Sequence, residues 1–349
     1  MVSYNFPFRN RDEAKSMYGY ANSYYLNDSL DISLKIAQDV INYFSINFSD
    51  SNIHTNPTKN QVVPEAFLME SLFLKAKILV KKKELGEDDS ISSDLIFETF
   101  DLAVESLNLL RGFFHELDSK LNMSENMITI FSDAIDYSMS QYEKSNQIEY
   151  FNLAIKYAQT AKAFTLKQSL LTRQEFKNAN VPEPLMARYF KLVHKSYDQT
   201  DDYVAIRDSI STLKKEIEKE YSKTSTIASD NILDSRQIQQ LLTVNKAIIE
   251  YFFNDKTLYT FLITKDETHL FKNEVNELEY SIAEYIQLLH RPHEFKSNSM
   301  TINQSFDKHT TIIRDYLLGD ILDIVRNKKI THLAISAMGI LKKVSFANL

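Results

Sequence analysis

Residues 247–264 read AIIEYFFNDKTLYTFLIT, and the character of the chain changes there. Residues 247–253 are a short run of apolar, β-branched and aromatic side chains, and residues 257–264 alternate between two faces. Turn-forming residues separate the two runs at 254–256, and a second turn at 265–267 leads into THLF at 268–271. The pattern predicts a meander of three strands.

The sequence after this meander continues as an alternation of helices and strands. Periodic apolar residues predict one helix over residues 275–289 and another over about 306–325. The segment 330–335, ITHLAI, predicts a further strand, and GIL at 339–341 closes the pattern. The last third of the chain is therefore predicted to be an α/β domain, beginning near residue 231.

The sequence before residue 200 predicts a succession of helices from residue 12 onward. In the first pair, a turn at Asn27 and Asp28 separates two apolar stripes, and small residues at Ala21 and Ser33 would allow a close approach of the helices. The stripes comprise Met17, Tyr20, Ala21 and Tyr24, followed by Leu30, Ser33, Ala37 and Val40. This spacing is typical of a tetratricopeptide (TPR) repeat, an antiparallel helix pair of about 34 residues.

Later segments repeat the pattern in degenerate form. Leu72, Ala76 and Leu79 predict one helix, Phe100 to Leu110 predict the next, and residues 128–171 predict a third pair. Polar loops are predicted at 48–64 and 84–93. We therefore divide the chain into TPR-like repeats at 1–200, a connecting helix at 201–230 and an α/β part at 231–349.

Composition excludes several function classes. The chain has 349 residues, a net charge of −7, five glycines and no cysteine, and no continuous apolar segment approaches the length of a membrane span or signal peptide. Neither a nucleic-acid-binding field nor a glycine-rich phosphate loop is present, and we expect no cofactor. His290, His293 and Glu294 have a metal-like spacing that Pro292 interrupts, so we expect no metal site. The absence of cysteine fits a cytoplasmic location.

Two blocks of the α/β part resemble the CHAT domain of the caspase-like cysteine peptidases. Residues 245–252, NKAIIEYF, and 258–266, LYTFLITKD, are similar to the family pattern xLLEYF followed by LYxFxIT(K/R)D. Residues 333–349 are similar to a later block, PDGxLxxLPFxxL. Ala337 and Met338 replace the Pro-Asp of that block, and Ser345 replaces its second proline.

The resemblance implies a cysteine peptidase in which a histidine assists a cysteine thiolate. In the family, the His-Gly and Ala-Cys blocks follow the block that ends here at Leu349. We therefore expect no catalytic residue in this chain, and a reading frame that continues to a histidine and a cysteine. TPR-like repeats are the usual neighbour of such a domain.

A TPR array binds peptides on its concave surface, which is formed by the first helix of each repeat. On that basis Asn22, Tyr25, Asn126 and Gln141 are candidate partner-binding residues, although most tyrosines of the repeats are expected in inter-helix packing. The resulting hypothesis is a partner-binding arm on an incomplete caspase-like protease. Two alternatives remain: a non-catalytic scaffold whose α/β part docks partners, and a purely helical adaptor.

Overall fold

The structure is a computed structural model that describes residues 10–111, 117–170, 233–254, 256–289 and 299–349, with a few single residues between 182 and 213. The predicted connecting helix at 201–230 and the histidines at 290 and 293 lie almost entirely outside these ranges. The chain divides into two compact units, Met1–Ala134 with Phe164–Asn231, and Ile135–Ala163 with Ile232–Leu349. We call them the helical unit and the sheet unit.

The described part before residue 171 consists of helices joined by loops, as predicted. Loop 48–64 holds a single 3-10 turn at Lys59–Gln61. The helices are α1 (Arg11–Leu26), α2 (Leu30–Phe44), α3 (Ala66–Leu85), α4 (Ser93–Arg111), α5 (Leu117–Ser145) and α6 (Ile148–Leu170).

Local signals explain where these helices begin and end. The side chain of Asn10 accepts a hydrogen bond from the Glu13 backbone and caps α1, and Glu65 caps α3 through the Phe67 backbone. Helix α3 ends at Gly86, whose φ of 68° is the left-handed conformation that glycine adopts without strain.

The close approach predicted between the first two helices is confirmed. Ala21 and Ser33 are both fully buried, and the Ser33 hydroxyl donates a hydrogen bond of 2.7 Å to the Ala21 carbonyl oxygen. Helices α1 to α4 and the loop between α2 and α3 share one apolar cluster, which includes Phe44, Val62 and Leu72.

Two members of the predicted α1 stripe do not pack. Tyr20 and Tyr24 are 59% and 39% exposed, whereas Ala14 and Ala21 are fully buried. Successive residues turn by about 100° around a helix, so the stripe centred on Ala14 and Ala21 leaves Tyr20 at its side. The prediction that the tyrosines pack between helices holds for the buried Tyr137 and Tyr157 and is wrong for Tyr20 and Tyr24.

The C-terminal meander and the fourth strand are also confirmed, so a purely helical adaptor is excluded. The sheet unit contains α7 (Ser235–Leu241), β1 (Lys246–Phe253), β2 (Thr257–Ile263), β3 (Thr268–Glu274), α8 (Leu278–Leu289), α9 (Ser299–Asn327) and β4 (His332–Ser336). The strand order is β3-β2-β1-β4, with β4 parallel to β1 and the other pairs antiparallel. Residues 339–343 form a 3-10 turn.

Helices cover both faces of this sheet. On one face Ala247, Ile249, Tyr251 and Phe253 pack with apolar residues of α8 and α9, and the Tyr251 hydroxyl donates to the Leu317 carbonyl oxygen at 2.5 Å. On the other face Phe151 of α6 lies edge-on against Phe261, at 5.8 Å between ring centres. The chain is thus mainly helical, with a C-terminal α/β unit of three layers.

Candidate functional site

Glu250 is a charged residue in the middle of an apolar strand. It lies on β1 between Phe261 of β2 and Ser336 of β4, and only 5% of the residue is exposed. A buried carboxylate requires a charged or hydrogen-bonding partner, since its transfer out of water is otherwise costly. Its partner completes a buried polar site in the sheet unit.

The partner is Lys162 of α6, whose ammonium group forms an ion pair with the Glu250 carboxylate. The same Nζ atom donates to the Ser336 carbonyl oxygen at 2.7 Å and to the Ser336 hydroxyl at 2.9 Å. One lysine therefore joins a helix to two parallel strands. We call these three residues the Lys162 cluster.

Burial lowers the pKa of Lys162, and the positive charge of Lys342 acts in the same direction. The Glu250 carboxylate opposes both effects and favours the ammonium form. Because the Lys162 and Glu250 side chains are only 8% and 7% exposed, neither can meet a dissolved substrate directly. The cluster therefore has a structural role: it fixes α6 and the end of β4 against β1.

The cluster reaches the carboxyl end of β4 through Ser336. Strands β1 and β4 are parallel, and β4 ends at Ser336 beside Glu250. Ligands of open α/β sheets bind beyond the carboxyl ends of parallel strands. Here the chain turns immediately after this end, through Met338, which is 2% exposed, and Gly339, whose φ is 54°.

His332 lies at the other end of β4 and is exposed. Its Nδ1 atom is 2.9 Å from the Thr331 hydroxyl, with which it shares a hydrogen bond. Leu333 and Ala334 are exposed as well, and β4 is the outermost strand on this side among the described residues. His332 is therefore an exposed residue on an outer strand of the described sheet.

The structure places the candidate partner-binding residues on α1 and α5. Asn22 and Tyr25 lie about one turn apart on α1, and both are half-buried. The Tyr25 ring is already covered by α3, with the Nζ atoms of Lys77 and Lys81 at 5.2 and 5.5 Å from its centre. Binding of a partner by Asn22 and Tyr25 remains a prediction.

The other two candidates are on α5. Gln141 is half-buried on α5, in the part of that helix that belongs to the sheet unit, whereas Asn22 and Tyr25 belong to the helical unit. Asn126 is on α5 too, and its side chain lies outside the described residues. The structure therefore places Asn22 and Tyr25 near each other on one helix.

The Lys162 cluster was not predicted from the sequence. Glu250 carried a signal, because a single carboxylate inside an apolar strand requires a buried partner. Nothing identified that partner: Lys162 follows Ala161 at the edge of an apolar helical stripe, where lysine is ordinarily solvated. Ser336 had no signal either.

A second buried lysine lies in the helical unit. Lys75 of α3 donates to the Gln38 side-chain oxygen at 2.7 Å and to the Thr55 carbonyl oxygen at 2.6 Å. Gln38 and Asn42 in turn donate to the Asp50 carbonyl oxygen. Lys75 therefore fastens the loop between α2 and α3 to the helices, and burial lowers its pKa to about 7.

The described ranges contain neither a metal-binding cluster nor a membrane-spanning helix. They contain no group of three or more His, Asp or Glu side chains able to hold a metal ion. No helix among them is both long and apolar enough to cross a bilayer.

No protein-family model, curated protein or solved structure matches the chain.

Proposed function

We propose that this chain combines a partner-binding, TPR-like helical arm with the first part of a caspase-like CHAT domain. The complete protein would then be a cytoplasmic cysteine protease that is controlled by a protein or peptide contacting the arm. No catalytic residue is assigned to this chain, since it contains no cysteine.

The helical unit supports the arm. Its helices pack as successive neighbours, with α1 on α2, α2 on α3 and α3 on α4. A small-residue contact, Ser33 on Ala21, brings the first two together in the manner expected of a repeat. Tyr20 and Tyr24 remain exposed on α1 and add aromatic surface that a protein partner could cover.

The observation that carries the proposal is the pairing of β1 with β4. The two blocks that resemble the CHAT family are far apart in sequence, and the fold joins them as parallel neighbours, Lys246 beside His332 and Glu250 beside Ser336. A parallel pair with helices on both faces is an α/β arrangement, which a CHAT-like domain would require, whereas an accessory meander would need no such crossover.

The edge of β4 supports continuation of the sheet. Its residues 332–334 are exposed, although Leu333 is apolar and 37% exposed. An open edge of this kind pairs readily with another strand. In the proposed protein, the strand leading to the family's histidine would occupy it.

The test is the sequence downstream of residue 349 in the native gene. We expect a His-Gly pair and then a strand ending in cysteine. The complete protein should cleave a protein substrate, and alanine at either the histidine or the cysteine should abolish cleavage. A native reading frame that stops at Leu349, or full activity in both variants, would overturn the protease proposal.

The second candidate, a non-catalytic scaffold, is favoured by one observation: 349 residues contain no cysteine at all. In that case the same α/β unit would dock a partner through the β4 edge. A native chain of 349 residues that forms a stoichiometric complex through the arm or through β4, and has no hydrolytic activity, would establish it.

A further inference from the structure

Helix α6 is hydrogen-bonded to the carboxyl end of β4. Lys162 of α6 donates to both oxygen atoms of Ser336, the last residue of β4, while its charge is balanced by Glu250. The preceding residues of β4, from His332 to Ala334, are exposed. The position of the Ser336 end of β4 therefore depends on where α6 places Lys162.

Helix α6 is fixed to the sheet unit at its other end as well. Asn152 accepts a hydrogen bond of 3.0 Å from the Ser235 backbone, and Phe151 packs on Phe261. The boundary between the two compact units falls between Ala163 and Phe164, one residue after Lys162, while α6 itself runs on to Leu170. Lys162 is thus the second-to-last residue of α6 within the sheet unit.

We propose that Lys162 is a two-position connection, through which a shift of α6 releases the end of β4 and the turn that follows it. The inference rests on the proposed function, because binding of a partner to the arm would supply the shift. The released state is the one in which the C-terminal part of the sheet can rearrange.

The geometry makes the change all-or-none. A shift of one residue along a helix corresponds to about 1.5 Å and 100°, which moves Nζ away from Glu250 and from both oxygen atoms of Ser336 together. Glu250 cannot remain buried without a counter-charge, so intermediate positions are unfavourable. Packed elements of this kind have discrete arrangements.

The segment after Ser336 is the part that would respond. Leu341 and Val344 of this segment insert into the apolar cluster between the sheet, α8 and α9, and the ring of Phe346 stacks on Tyr251 at 5.8 Å. Its path depends on Ser336, since the chain reverses directly afterwards at Gly339. Release of Ser336 therefore loosens residues 337–349 before it affects β2 or β3.

The experiment is amide hydrogen exchange read by mass spectrometry on residues 332–349, with β2 as internal reference. Gln159→Gly weakens α6 one turn before Lys162 without altering the cluster itself, since glycine is a poor helix former. It is measured in the wild-type chain and again in the Lys162→Met background. Lys156→Met, another lysine replacement on α6, is the matched control.

In the wild-type chain, we expect Gln159→Gly to accelerate exchange in residues 332–349 several-fold. Lys162→Met should accelerate it on the order of tenfold or more, and Gln159→Gly should then add nothing. Lys156→Met should leave it unchanged. If Lys162→Met does not fold, Glu250→Gln, which keeps the size of the side chain and removes its charge, takes its place.

Two outcomes would overturn the proposal. One is an unchanged exchange rate in residues 332–349 when Gln159→Gly is introduced into the wild-type chain. The other is the same acceleration by Gln159→Gly with and without Lys162. The measurement needs neither a partner nor peptidase activity. A negative result would therefore contradict the role of Lys162 without contradicting the proposed function. Conversely, a native gene without a catalytic dyad would contradict the protease proposal without changing the exchange result.

Discussion

The ammonium group of Lys162 and the carboxylate of Glu250 form an ion pair inside the protein, with side chains that are 8% and 7% exposed. The two residues come from different layers of the sheet unit, a helix and an inner strand of the sheet. The pair is completed by the backbone and hydroxyl oxygens of Ser336. A single substitution in it should therefore affect stability far more than a surface change.

We expect Lys162→Met to lower the free energy of unfolding by about 3–5 kcal/mol, because it leaves Glu250 buried and unpaired. The double variant Lys162→Met with Glu250→Met should recover most of this loss, since an apolar pair of similar volume has no charge to bury. Urea unfolding followed by circular dichroism measures both. Equal losses in the single and double variants would show that the charges are not coupled.

Lys75 should make stability depend on pH on the alkaline side. Burial lowers its pKa from an ordinary 10.5 to about 7, and Glu98 and Asp50 only partly oppose the shift. Between these values the folded state binds fewer protons than the unfolded state, so the free energy of unfolding rises with pH, by at most about 1.4 kcal/mol per unit.

Lys75→Met should remove that rise between pH 7 and 10.5. The comparison is of slopes, because the variant also leaves the Gln38 and Thr55 oxygen atoms without their donor. Lys35→Met, at an exposed position of α2, is the control and should retain the wild-type slope. A rise that persists in Lys75→Met would assign the pH dependence to other groups.

Glu70, on the same helix α3, should act on the acidic side. Burial raises its pKa from 4.5 to about 7, the charge of Glu65 adds to the effect, and Lys15 opposes it. Here the folded state binds more protons than the unfolded state, so the stabilising contribution is present below pH 4.5 and is lost as pH rises to 7. Glu70→Gln should abolish this decline, whereas Glu84→Gln, at an exposed position of α3, should not.

Replacement of two glycines by alanine should change the stability of the protein in opposite directions. Gly86 ends α3 with a φ of 68°, so Gly86→Ala should cost about 1 kcal/mol, even though no atom lies within 4 Å of the added methyl group. Gly319 lies within α9 with equal space around it, and Gly319→Ala should stabilise by about 0.5–1 kcal/mol. Thermal unfolding midpoints of the two variants test this; shifts of the same sign would contradict it.

The sequence predicted the elements whose signals are local. Strands β1 to β3 follow one another with short turns, so alternation and turn residues located each of them within a few positions. The contact of Ser33 with Ala21 was predictable for the same reason, because a short turn places the two helices side by side. Helix bounds were less well placed: α9 begins at Ser299, seven residues before the predicted start.

Contacts between distant segments were not predictable in this way. Neither the parallel pairing of β4 with β1 nor the choice of Lys162 as the partner of Glu250 leaves a periodic trace in the sequence. The same is true of Lys75, whose burial depends on a loop that folds over it from residues 48–58. Exposure of Tyr20 and Tyr24 was missed because an aromatic stripe at helical spacing is ordinarily packed.

The hydrogen bond between Lys162 and Ser336 spans 174 residues of chain, which has a consequence for biosynthesis. As the chain leaves the ribosome, Lys162 emerges first, Glu250 next and Ser336 last, and the meander of β1 to β3 can form from neighbouring segments alone. The ion pair can thus assemble before β4 has been translated. The Lys162 ammonium group can then donate hydrogen bonds to Ser336. These bonds form only when β4 docks in the correct register.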